Sequence, residues 1–128
     1  MSYYFSKKVA GSFDEVLDRL TASLKEEGFG ILTEIDVKAT LKKKLGVDFR
    51  KYRILGACNP LFAYKALQVE DKIGTMLPCN VILQEVGKDE TEVAAVDPVA
   101  SMKAIENRGL HGIAVQVQEK LKNVVDRL

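Results

Sequence analysis

The residues best suited to chemistry gather between positions 56 and 83. Gly56-Ala57-Cys58 closes an apolar run with three small side chains, and Asn59-Pro60 follows at once. Small residues allow a second backbone or a ligand to approach closely. Asn-Pro reads as a helix start: Asn can cap, and Pro at the first helical position lacks a donor that would be unpaired there anyway. The free N–H groups and dipole of such a start favour an anion. Met76-Leu77-Pro78-Cys79 leads into the next apolar run. If the two strands are neighbours, Cys58 and Cys79 meet at one end of a sheet. Asp97-Pro98 repeats the cap-plus-proline device. Cys58, Asn59, Cys79 and Asp97 are therefore the candidate ligand-binding residues, around a pocket for a small molecule, anions included.

Two other chemistries compete with that reading. A thiol-dependent enzyme or redox protein would use Cys58 or Cys79, and would need an accessible, acidic thiol. Free cysteine is also among the most buried residue types and often serves as a small hydrophobe. No helix start follows Cys79, so it is expected to be the less readily ionised of the pair. The third reading is a weak nucleic-acid contact through residues 38–53, where Lys38, Lys42, Lys43, Lys44, Arg50, Lys51 and Arg53 face one acid, Asp48. No aromatic residue interleaves with the basic helix itself to stack bases. Such a run is more often a solvated face.

A metal site needs several convergent ligands. Two distant cysteines, the lone His111 and scattered carboxylates do not supply them, so no metal and no cofactor is expected. His111 is expected at the surface. No G-x-S-x-G, P-loop or dinucleotide fingerprint occurs, and no catalytic residue can be assigned.

These residues need elements to place them. Residues 2–9 read as a first strand. Ser12 and Glu15 form a capping box for a helix over 13–27, with Phe13, Val16, Leu17, Leu20 and Leu24 on one face and Gly28 at its end. Residues 29–35 form a second strand. Asp36 caps a short helix carrying Val37, Leu41 and Leu45, closed by Gly46. Residues 52–58 form a third strand, followed by the Asn59-Pro60 helix and a stretch over 71–78 that is irregular or forms one short turn. Residues 79–86 and 91–96 form a hairpin through Gly87-Lys88-Asp89-Glu90. A last helix starts near Leu110 and buries Ile113, Val117, Leu121, Val124, Val125 and Leu128. Both long helices need an apolar face covered, which one sheet with both on the same side provides.

The totals agree with one domain over residues 1–128. The formal net charge is +1, from 19 basic and 18 acidic side chains, so no global pull toward a polyanion exists. The start lacks the apolar core of a signal peptide, and no apolar run has membrane-spanning length. Two cysteines are too few for a secreted disulfide scaffold, which points to the cytoplasm.

Taken together, Gly56-x-Cys58-Asn59-Pro60, Ala63, Ala66-Leu67, Ile73-Gly74, Leu77-Pro78-Cys79, Asp97-Pro98 and Met102 resemble domain of unknown function 302, widespread in bacteria and archaea. Ile35-Asp36-Val37, Leu41 and Leu45-Gly46-Val47 add to the likeness. The resemblance implies an α+β, two-layer, β-α-β4-α fold like that of the TATA-box-binding protein: a curved antiparallel sheet with two long helices on one face and short helical insertions. It also implies a homodimer, in keeping with Tyr3, Tyr4 and Phe5 placing aromatics on both faces of the first strand. It carries no activity. A non-enzymatic binding or sensing domain is the expectation.

Overall fold

A computed structural model describes residues 2–128 of the chain. Five strands run β1 (Tyr4–Ala10), β2 (Gly30–Asp36), β3 (Tyr52–Cys58), β4 (Cys79–Gly87) and β5 (Glu90–Val96). The helices are α1 (Phe13–Glu26), α2 (Val37–Leu45), α3 (Pro60–Val69), α4 (Pro98–Ser101) and α5 (Arg108–Asp126), with a 3-10 turn over Asp71–Met76. The strands form one open sheet in the order β1-β5-β4-β3-β2, each neighbouring pair antiparallel.

The period-2 alternation of the central strands decides which face is covered. Val81 and Leu83 on β4, and Val93 and Ala95 on β5, are fully buried against Val16, Leu20 and Leu24 of α1 and Leu121 and Val124 of α5. The two long helices therefore share one face of the sheet, as their apolar stripes require. Ser23 at the helix–helix contact donates its hydroxyl to the Val124 carbonyl, 3.0 Å away, which satisfies an otherwise buried polar group. Among the described residues no helix is long and apolar enough to cross a membrane.

The caps explain most boundaries. Ser12 Oγ accepts from the Glu15 N–H at 3.2 Å, and Asp36 Oδ1 from the Ala39 N–H at 2.9 Å. Three expectations are made more exact by the structure. The last helix begins at Arg108, because the Asn107 side chain caps it by accepting from the Leu110 N–H. Of the two readings of residues 71–78, the short turn is the one observed, as a 3-10 turn over Asp71–Met76. The hairpin turn is Lys88-Asp89 alone, since Gly87 and Glu90 already pair and Asp89 takes φ 55°.

Among the described residues, one buried side-chain polar atom finds no partner: Thr91 Oγ1, on a residue that is 1% exposed. A lone buried hydroxyl carries its desolvation cost without compensation, whereas a methyl of the same shape does not. Thr91→Val is therefore expected to raise the unfolding free energy by about 1 kcal/mol. Urea denaturation of the two proteins side by side measures it; an unchanged or lower midpoint contradicts it.

Candidate functional site

Strands β3 and β4 are neighbours, with Ala57 opposite Cys79 and Gly56 opposite Asn80. The end of β3 and the start of β4 thus lie at one edge of the layer, and Cys58 and Cys79 arrive there together. Above them sits a cavity of about 290 Å³. Its floor comes from Ala57, Cys58 and Cys79, its roof from α3 and α5.

The space exists for a definable reason. The apolar interior divides into two clusters, one holding Phe29, Phe62, Cys79 and Val117, the other Ala66, Met102, Leu110 and Ala114. The cavity lies on the seam and takes walls from both. Where α3 and α5 face each other across it, Ala63, Ala66 and Ala114 present only methyl groups. Larger side chains there would fill the gap. The wall carries no charged side chain; its polar groups are the Asn59 amide and the two thiols.

Cys79 is buried, and desolvation pushes its thiol up to about 11, with a smaller contribution from the nearby Cys58. An ionised sulfur would lose hydration that the apolar wall cannot replace. At neutral pH Cys79 is therefore a protonated, weakly nucleophilic thiol. Both cysteines are free.

Asn59 departs from the expected role. Its side chain makes no capping bond to α3; instead Nδ2 donates to the Glu27 carbonyl at 3.2 Å. The competing acceptor is one of the unpaired carbonyls at the end of α1. Gly28 makes the contact possible: its φ of +86° and its bare Cα admit the amide, which lies 3.0 Å from where a Cβ would stand. Asn59 thus ties α1 to the start of α3 beside the cavity.

Asp97 is not brought to the same cavity. Its Oδ1 accepts from the Val99 and Ala100 N–H groups, capping α4 as its position before Pro98 predicts, and from Gln118 Nε2 at 3.0 Å. It borders a separate depression with Ser2, Lys103 and His111, and the neighbouring Pro98 reaches the apolar cavity in its place. His111 is exposed, its Nε2 lying 2.7 Å from the Ile105 carbonyl oxygen.

Four of the seven cations of the basic stretch, Lys38, Lys42, Arg50 and Arg53, have partners within the fold. Arg53 pairs with Glu34 and Asp36, Lys42 with Asp48, and Lys38 donates to the Phe49 carbonyl. The Arg50 guanidinium lies 4.3 Å above the Phe49 ring, with Tyr52 beside it. Helix α2 itself buries no residue.

Sequence reasoning missed Leu32, Met102, Leu110 and Ala114 as part of this wall. The alanines at helical spacing on α3 were the available signal, since a stripe of methyl groups facing a second helix must either pack backbones closely or leave a gap.

Comparison with known proteins adds the family. The family model described as "Domain of unknown function DUF302" matches residues 5–128. The crystal structure of an uncharacterized conserved protein DUF302 from Bacillus stearothermophilus superposes with a TM-score of 0.91 at 29% identity, covering 99% of this chain and 98% of that one. No curated protein matches the chain.

Proposed function

We propose that this chain, which belongs to the DUF302 family, is a binding domain for a small apolar molecule held between α3, α5 and the ends of β3 and β4. The observation that carries the reading is the 290 Å³ cavity with no charged side chain in its wall. Binding cavities are mostly apolar with few polar groups, and about 300 Å³ is the lower end of their range. An apolar cavity of roughly half this volume holds benzene. An uncharged guest suits this wall better than an anion, because no cation lines it to offset the loss of hydration. The thiol reading gains no support from Cys79, which holds its proton well above neutral pH.

Indole is a suitable first probe. Titrated into the protein, it is expected to shift the methyl resonances of Ala63, Ala66 and Ala114 saturably. Ala66→Leu places a larger side chain in the gap and is expected to weaken indole at least about tenfold, the scale set by one methylene in an apolar pocket. Retention of the native melting profile separates filling from unfolding. Undiminished binding in Ala66→Leu would place the indole elsewhere and defeat the reading.

A further inference from the structure

Leu32 interrupts the regularity of β2 at the point where that strand passes the cavity. Ile31 lies opposite Ala57 and Thr33 opposite Gly56, so Leu32 is an inserted residue with no partner on β3. In an unbroken strand it would stand opposite Gly56, on the sheet face away from the long helices. The bulge re-aims it, and Leu32 lines the cavity while remaining 68% exposed. Bulges of this kind commonly redirect a side chain beside a site. Leu67 of α3 is also in the cavity wall and 46% exposed. Two lining residues that are also open to solvent mark the mouth, between the edge strand β2 and α3. The deeper lining residues Ala66, Cys79, Met102, Leu110 and Ala114 are all buried.

We infer that Leu32 is the size-determining residue at the mouth of this cavity, admitting small uncharged ring compounds and turning away larger ones. The inference rests on the binding reading above. An exposed leucine alone is ordinary. What distinguishes Leu32 is that a backbone irregularity delivers it to the rim of an apolar space.

Three neutral probes of rising size, toluene, indole and 2-naphthol, test it by the same methyl resonances with the wild type, Leu32→Ala and Leu32→Trp. Leu32 is exposed, so neither variant is expected to disturb folding, and melting curves check this. Leu32→Ala should tighten 2-naphthol by roughly tenfold or more relative to toluene, and Leu32→Trp should weaken indole and 2-naphthol more than toluene. Binding of 2-naphthol by Leu32→Ala alone also supports the inference. If the wild type binds the probes and both variants bind all three as it does, Leu32 sets no limit and the cavity reading stands. If no probe moves the alanine methyls in any of the three proteins, both fall together.

Discussion

Gly56→Ala is expected to destabilise the protein by about 3 kcal/mol, the upper part of the range for forcing extra volume into a packed site. The cause is steric and not conformational. A Cβ at position 56 would stand 2.7 Å from Pro78 Cγ and inside the contact distance of the Thr33 hydroxyl. Thr33 is the register partner of Gly56 on β2, and Pro78 immediately precedes β4, so the clash is built in from both flanking strands. The Thr33 side chain can rotate, whereas the proline ring has little freedom. Thr33→Ala combined with Gly56→Ala should therefore recover only part of the loss. Urea unfolding of the two single variants and the double variant gives the coupling. A Gly56→Ala protein within about 1 kcal/mol of the wild type would show that the strands spread easily. The cavity floor would then be softer than its register implies.

Gly56 also shows where sequence reading succeeds and where it stops. The run Gly56-Ala57-Cys58 announces a close approach, but not what approaches: at Gly56 the neighbours are Thr33 and Pro78, while Ala57 and Cys58 line the cavity. The same division runs through the fold. Apolar spacing and turn chemistry suffice for the five strands and α1, because each carries its own local signal. The start of α5 is harder to see, since Gly109 and Gly112 are poor helix formers and hide the cap at Asn107. Asn59 and Asp97 look alike in sequence, each before a proline, yet only Asp97 caps its helix. The difference is a tertiary one: the end of α1 comes within reach of Asn59 and offers it the Glu27 carbonyl. Likewise Cys58 and Cys79 come together because β3 and β4 pair, which the strand pattern allows but cannot require. The apolar stripe of α5 marks Ile113 and Val117 as inward-facing, but it does not show that they wall a cavity, and the bulge at Leu32 has no local pattern of its own.

Cys79 provides the second large effect, visible in alkali. Its thiol ionises near 11 in the folded chain against 9.0 for a free thiol, chiefly because burial disfavours the charged form. Between those values the unfolded chain releases this proton and the folded chain keeps it. The stability tied to Cys79 is thus fully present below about pH 9 and is lost as pH rises through 11. The span corresponds to roughly 3 kcal/mol at about 1.4 kcal/mol per pH unit. Cys79→Ala supplies the reference. Near pH 8 it should be the less stable protein, by about 1 kcal/mol for the buried sulfur it lacks. Above pH 9 the wild type should fall faster, so the two curves converge and then cross. A thiol reagent offers an independent reading, since the same difference in ionisation leaves about 100-fold less thiolate at Cys79 in the native state than after unfolding. A Cys58→Ala background isolates the Cys79 rate. Parallel stability curves, together with native labelling as fast as unfolded labelling, would mean that water reaches the sulfur freely. The cavity floor would then be wet, not apolar, at its centre.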